Sequence, residues 1–303
     1  MAPQIEDLTG RDMAAKSPED FDHIRFRVGN AKQAAFWFCA SFGFQPFAYK
    51  GLETGCKELT AHAIKTGKII LVFEGTTGPD NKNFGDYLTK HGDSVQDVAF
   101  QVDDLEVFLE HARAKKTKIV REMTVESDEY GVVKYASILA FGDVIHTLIE
   151  RKNYRGLFLP GFRAHHWDGQ CFDHLPKTDL KTIDHFVGAQ PEDEMESVVD
   201  CGVELLDVPD KYYDVIREKL SKSNCPIDAD LDKLQELNIF IDFDEKGYIL
   251  QKFTKPLDDR PTLFFEVIER HNFKGFGAGN FFAIFEAIER QQMERNTFYG
   301  ESN

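Results

Sequence analysis

The chain has 303 residues, with 52 Asp and Glu against 36 Lys and Arg and a formal charge of −16 at neutral pH. So acidic a protein argues against nucleic acid and anionic membranes as partners. Residues 1–20 mix charges with Ala and Pro, and no apolar run reaches the length of a membrane span. The five cysteines are odd in number and form no Cys-x-x-Cys pair. We therefore expect reduced thiols and a cytoplasmic location.

The first half of the chain contains a β-α-β-β-β pattern. Residues 22–28 alternate polar and apolar side chains, as a half-buried strand does. Residues 31–42 have one apolar side and are predicted to form a helix. Three further strands complete the pattern, predicted at 45–49, 59–64 and 69–74.

The same pattern then occurs a second time. A predicted strand at 95–102 is followed by a predicted helix at 105–115. Three more strands are predicted at 118–121, 132–140 and 144–150. Two such copies make one domain, which we place at residues 1–152. Residues 153–180 are predicted to be a linker, because Gly156 and Pro160 interrupt regular structure there.

The second half of the chain is predicted to be a shorter copy of the first domain, at residues 181–303. The segment 183–187 repeats the Asp-His pattern around His23, and 262–266 repeats the Glu-ending pattern of 147–150. We expect both segments to be strands. Between them the predicted elements are a strand at 203–208, helices at 211–221 and 230–237, and strands at 239–243 and 248–253.

This copy lacks a central part. His23 and Glu150 are 127 positions apart, whereas the corresponding His185 and Glu266 are only 81 apart. We place the gap between Asp200 and Cys201, because the helix that starts at 194–200 runs straight into a strand pattern. The missing part corresponds to the rest of that helix, four strands and a second helix.

His185 and Glu266 are candidate metal ligands. An imidazole and a carboxylate are two of the three donors in the facial triad that holds non-haem Fe(II). Each residue alone also has an ordinary structural explanation. His185 could be a satisfied core or surface histidine, and Glu266 could be an edge-strand carboxylate that faces water. His271 falls on the strand face opposite to Glu266.

A glycine-rich run follows at 275–281. It is not a dinucleotide fingerprint, because Asn280 stands at the place of the third glycine and no β-α-β unit follows. The run is either a flexible connection to a predicted helix at 281–294 or a lid that carries Phe276 and Phe281 over a cavity.

Five stretches together resemble the 4-hydroxyphenylpyruvate dioxygenase family: 158–162, Asp184-His185, 244–256, 259–272 and 275–281. The resemblance extends over nearly the whole chain except the gap. It implies an α+β fold of two vicinal-oxygen-chelate domains built of βαβββ repeats, of which the C-terminal one is incomplete here.

The resemblance also implies a site. His185 and Glu266 match two ligands of one Fe(2+) per subunit, and the second histidine ligand is absent from this chain. Gln251 matches a polar residue near the substrate, and Asn280 matches a lid residue. The aromatic wall of the substrate pocket is matched by Phe253, Phe264, Phe276 and Phe281.

The function implied is the conversion of 4-hydroxyphenylpyruvate and O2 to homogentisate and CO2 in tyrosine and phenylalanine catabolism, by a homodimer that contacts its partner through the N-terminal domain. Two alternatives remain: a shortened form that acts only through its N-terminal domain, and an enzyme similar to hydroxymandelate synthase. The missing strands should leave an apolar face at Phe264 and Phe276 exposed.

Overall fold

A computed structural model describes a large part of the chain, in two compact units at 1–186 and 187–303. The residues described are 21–167, 172, 174, 178–187, 234, 239–254, 257–260, 263–277 and 280. Several predictions lie outside them, namely the gap at Asp200 and Cys201, nearly all of the elements predicted within 203–237, Phe281 and the helix at 281–294.

The first unit contains both predicted copies of the repeat. Its strands are β1 Phe21–Arg27, β2 Gln45–Lys50, β3 Leu59–Thr66, β4 Ile69–Thr76, β5 Ser94–Gln101, β6 Ile119–Asp128, β7 Gly131–Phe141, β8 Val144–Glu150 and β9 Arg163–Ala164. Its helices are α1 Ala31–Phe42, α2 Lys82–His91 and α3 Leu105–Ala114, with a short 3-10 turn at Leu52–Thr54.

The nine strands form one sheet in the order β6-β7-β8-β5-β1-β4-β3-β2-β9. The order is nearly symmetric about the antiparallel pair of β1 and β5. Each of these two strands is also parallel to the last strand of its own repeat, β1 to β4 and β5 to β8. The predicted tandem of two βαβββ copies is therefore confirmed, and the fold is the α+β vicinal oxygen chelate fold.

Local chemistry sets the two ends of α1. The Asn30 side chain accepts a hydrogen bond from the Gln33 amide at 3.0 Å, which satisfies a free donor at the helix start. Gly43 ends the helix in the left-handed conformation, at φ 73°, and its amide donates to the Cys39 carbonyl. The buried side of the helix consists of Ala31, Ala35, Phe38 and Cys39.

One buried cluster of the first unit contains a group of small residues, among them Ala48, Ala61, Ala63 and Ala99. Phe158 and Leu159 belong to this cluster, although they lie in the predicted linker. The Phe158 ring is 5.3 Å from the His23 ring and 5.8 Å from the Phe47 ring. The segment 158–164 is thus part of the first unit and packs on its core. Within this segment, β9 extends the sheet of the unit beside β2.

The helix α2 was not predicted. Its ten residues, KNFGDYLTKH, are mostly polar, and Phe84 is the only one that is buried. A helix with one buried residue gives no apolar periodicity, and Gly85 in its second turn further obscures the pattern. The sequence indicates this helix only through the residues at its two ends. The Asn81 side chain accepts a hydrogen bond from the Phe84 amide at the start, and Gly92 follows the last turn.

The described part of the second unit contains a three-stranded antiparallel sheet. Its strands are β10 Phe240–Phe243, β11 Tyr248–Phe253 and β12 Glu266–His271, in that order. The predicted strand at 262–266 is wrong, because β12 begins at Glu266 instead of ending there. Glu266 pairs with Phe253, the last residue of β11, so the preceding residues have no ladder partner in that strand.

The predicted strand at 183–187 is also wrong, because these residues form no regular structure. Its counterpart β1 is hydrogen-bonded on one side to β4 and on the other to β5. The equivalents of β4 and β5 fall in the part that the second copy lacks. An extended segment without neighbouring strands cannot form a ladder, which explains the difference.

We predict that Phe158→Ala destabilises the first unit by about 3–5 kcal/mol, because Phe158 is only 2% exposed and its removal leaves a cavity. The neighbouring Leu157 is 49% exposed, so Leu157→Ala is a matched control that should change stability by less than about 0.5 kcal/mol. Both tryptophans lie in the first unit, so urea unfolding followed by tryptophan fluorescence measures it selectively. An equal loss of stability in the two variants would contradict the packing of Phe158 in the core of the first unit.

Candidate functional site

The first unit contains the Asp-His pair that opens its repeat, and the pair is buried. His23 Nδ1 lies 2.7 Å from Asp22 Oδ1, and a guanidinium nitrogen of Arg25 lies 3.5 Å from His23 Nε2. Burial, with Arg25 as the next cause, lowers the pKa of His23 to about 3. The imidazole is therefore neutral at physiological pH, and a cationic side chain stands beside the nitrogen that could bind a metal.

Two carboxylates of the first unit, Asp97 and Glu150, are also engaged. Asp97 accepts hydrogen bonds from the Thr147 hydroxyl at 2.6 Å and the Thr147 amide at 2.9 Å. Glu150 accepts from the Leu105 amide at 2.9 Å, at the first turn of α3. Both carboxylates thus serve the fold, Asp97 by joining β5 to β8 and Glu150 by capping a helix.

The predicted ligand His185 repeats the arrangement of His23. His185 Nδ1 lies 2.8 Å from Asp184 Oδ2, close to the 2.7 Å of the first pair. A carboxylate bonded to Nδ1 favours the tautomer with the proton on that nitrogen, and metal-binding histidines commonly have such a partner. His185 belongs to the first compact unit and Glu266 to the second.

The second unit brings three predicted site residues together. The buried Gln251 carboxamide donates to Glu266 Oε1 at 2.5 Å and to the Phe276 carbonyl at 3.1 Å. The buried Asn280 carboxamide donates to Gln251 Oε1. Strand pairing sets the arrangement, since Gln251 lies on β11 opposite Ile268 and Glu266 lies two residues earlier on β12.

The glycine-rich run is held against this cluster. Gly277 has φ 70°, and a Cβ at this position would collide with the Gln251 carboxamide. Arg270 donates to the Phe273 carbonyl at 3.1 Å and to the Gly275 carbonyl at 2.7 Å. The sequence interpretation missed Arg270. The alternation of side chains along the strand could have identified it, because Arg270 shares the partly buried face of β12 with Glu266 and Ile268.

The aromatic residues of the predicted wall are only partly covered. The rings of Phe253 and Phe264 meet edge to face with centroids 6.0 Å apart. Phe264 is 37% exposed and Phe276 is 59% exposed. The expected exposure of this apolar face is therefore confirmed. Phe281, the remaining member of the predicted wall, lies outside the described residues.

The donor set does not fit a three-ligand metal centre. Among the residues that the structure describes, no group of three His, Cys, Asp or Glu side chains could hold a metal ion. The face of Glu266 offers one carboxylate with the Gln251 and Asn280 amides, which are weak donors for Fe(II). His271 is on the exposed face of β12, beside Glu269 at 2.7 Å, and does not supply the missing histidine.

Comparison with known proteins identifies relatives along nearly the whole chain. The family model described as Glyoxalase/Bleomycin resistance protein/Dioxygenase superfamily matches residues 20–137. The 4-hydroxyphenylpyruvate dioxygenase of Caenorhabditis elegans is 40% identical, with 92% of this chain and 93% of that protein covered. The enzyme of the same name from Danio rerio is 39% identical, with 91% of each chain covered.

A solved structure shows the same fold. It is a mutant of 4-hydroxymandelate synthase from Streptomyces coelicolor, with a TM-score of 0.64 and 24% sequence identity. The match covers 91% of this chain and 100% of that one. This likeness supports the two-domain vicinal-oxygen-chelate architecture.

The lengths of the alignments reveal an internal gap. The alignment with the nematode relative extends over 367 positions, and 92% of 303 residues is about 279, so about 88 positions have no residue in this chain. These unmatched positions also explain why the second copy of the repeat is shorter than the first. At 40% identity over 92% of its length, with a segment missing inside, the chain belongs to the 4-hydroxyphenylpyruvate dioxygenase family.

Proposed function

We propose that the chain acts in tyrosine catabolism as a 4-hydroxyphenylpyruvate dioxygenase, which converts 4-hydroxyphenylpyruvate and O2 to homogentisate and CO2. The observation that carries the proposal is the identity of about 40% to relatives of that name over nine-tenths of the chain. The cofactor that this family implies is a non-haem Fe(II), one per subunit.

The cluster in the second unit supports this assignment. Gln251, Glu266 and Asn280 meet through buried carboxamides, and the Phe253 and Phe264 rings lie in the same unit. We propose that Glu266 and His185 bind the metal, Gln251 and Asn280 orient the substrate, and the aromatic residues, including Phe276 and Phe281, surround its ring. A substrate with a phenol ring and a 2-oxo acid suits such a combination of apolar and polar groups.

The missing ligand limits what this form of the chain can do. Two donors cannot make the three-point set of a facial triad, and a lost ligand should cost at least the 10–100-fold in metal affinity typical of lost supporting groups. We propose that the chain as it stands retains iron weakly and turns over slowly.

We further propose a cytoplasmic homodimer that associates through its N-terminal domain, with domains at 1–152 and 181–303 joined by 153–180. The free thiol of Cys56 suits a reducing compartment. None of the described helices is long and apolar enough to cross a membrane. The association rests on the family resemblance alone, and light scattering of the purified protein would test it.

The function is tested by restoring the missing segment. The chain and a second version, with the corresponding nematode segment inserted between Asp200 and Cys201, are assayed with 4-hydroxyphenylpyruvate, Fe(II) and ascorbate. We expect the restored protein to consume O2 and form homogentisate, not hydroxymandelate, at least ten times faster than the chain as it stands. Equal rates would mean that another residue completes the ligand set, and no homogentisate from either would refute the function.

We predict that Glu266→Gln in the restored protein lowers bound iron by at least about tenfold, because a charged ligand is lost while the shape is nearly kept. Glu269→Gln is the matched control on the same strand, since Glu269 lies on its exposed face. Metal analysis after gel filtration measures both variants. Unchanged iron in Glu266→Gln would show that Glu266 has only a structural role.

A further inference from the structure

A second potential binding site lies on the first unit, on the outer side of α1. A groove of about 910 Å³ runs there between the helix and the segment that follows β9. Its volume is in the range of small-molecule sites. It is lined by Lys32, Gln33, Phe36, Trp37, Ala40, His166, Trp167 and Phe172.

Two of the aromatic rings that line the groove are open to solvent, whereas Phe172 is only 2% exposed. Phe36 is 51% exposed and Trp37 is 43% exposed, which is unusual for large side chains on a helix that packs on a sheet. The Phe36 ring meets the Trp167 ring edge to face at 6.0 Å and the Phe172 ring at 5.0 Å. Lys32, Phe36 and Ala40 follow one another at intervals of four residues and so share one face of α1.

Two histidines, the buried His62 and the half-buried His165, hold one wall of the groove in place. The Trp167 ring lies 4.3 Å from the His165 ring and stacks on the His62 ring at 5.2 Å. His62 and His165 share a hydrogen bond of 2.9 Å, and the Trp167 amide donates to His165 Nδ1. The wall is therefore built before any ligand arrives, which lowers the entropy cost of binding.

The positive charge of Lys32 in the groove favours an anionic ligand. Among the lining residues that the structure describes, Lys32 is the only Lys or Arg and none is a carboxylate, in a chain with 52 acidic residues. Lys32 forms no ion pair with any side chain in the described part of the protein. Burial is the largest cause that lowers the pKa of His62 to about 4 and of His165 to about 3, so both are neutral behind the groove.

We propose that this groove binds an aromatic carboxylate. The aromatic ring of the ligand lies against Phe36 and Trp167, with the buried Phe172 packed on the Phe36 ring, and its carboxylate pairs with Lys32. Aromatic ligands gain from edge and face contacts with such rings, and a carboxylate finds its counter-ion in the lysine. None of the described lining residues is among the proposed metal and substrate residues, and the existence of the groove does not depend on iron or turnover.

Trp37 and Trp167 are the only two tryptophans of the chain, and both line the groove. Tryptophan fluorescence of the full chain therefore reports on this groove. The probes are 4-hydroxyphenylacetate and its neutral amide, 4-hydroxyphenylacetamide. We expect saturable quenching by both, with the amide bound about fivefold more weakly, as for the loss of one exposed ion pair.

Variants separate the two parts of the proposed contact. Lys32→Met should weaken the acid to the level of the amide and leave the amide unchanged, whereas Phe36→Ala should weaken both. Lys115→Met, at an exposed position after α3, is the matched charge control and should change neither. The proposal is overturned if quenching does not saturate, if acid and amide bind equally, or if Lys32→Met has no effect. It is equally overturned if the emission changes with protein concentration alone, since a second copy of the chain would then cover the groove.

Discussion

The structure depends on strand pairing at the centre of each repeat tandem. In the first unit, β1 has β4 on one side and β5 on the other, so its backbone groups are satisfied in both directions. This double pairing keeps the Asp22-His23 pair at the middle of a nine-stranded sheet. The second copy retains the Asp184-His185 pair, but none of its described strands pairs with that segment. The same two residues therefore lie in regular structure in one copy and in irregular structure in the other.

The two copies also differ in the side chains that surround the candidate metal-ligand positions. In the first, Arg25 stands beside His23, Phe158 packs on its ring, and Thr147 holds the Asp97 carboxylate. The Arg25 guanidinium and the Phe158 ring thus lie beside the histidine, and the Asp97 carboxylate is engaged in hydrogen bonds with Thr147. In the second, Glu266 has amide neighbours, which can orient a carboxylate or a substrate without competing for a cation. This contrast assigns a structural role to the Asp22-His23 pair of the first copy and the proposed chemistry to the second copy of the repeat.

The sequence predicted the elements whose signals are local. The bounds of α1 match, because Asn30 and Gly43 mark its ends and its apolar face is regular. The β11 and β8 strands match as well, since both are mainly apolar and end at their predicted residues. The strand at 183–187 failed, because strand formation requires partners that the pattern of a single segment cannot reveal.

The candidate site was predictable in part. Strand parity correctly placed Glu266 and Ile268 on one face, and the family resemblance directed attention to Gln251 and Asn280, which lie beside Glu266. The burial of Phe158 could not be foreseen, because it depends on the space left by alanines on three strands. The aromatic groove likewise joins α1 to residues some 130 positions later in the sequence, and no local pattern connects them.

The central claim is that missing pairing strands, and not the retained residues, determine the state of the second copy. Hydrogen exchange measured by mass spectrometry on the chain and on the version with the segment restored tests it most directly. The account predicts that restoration slows exchange at 183–187 and in β12, while β1 and β5 exchange equally slowly in both proteins. Unchanged exchange at 183–187 after restoration would contradict the account, because those residues would then lack order for another reason.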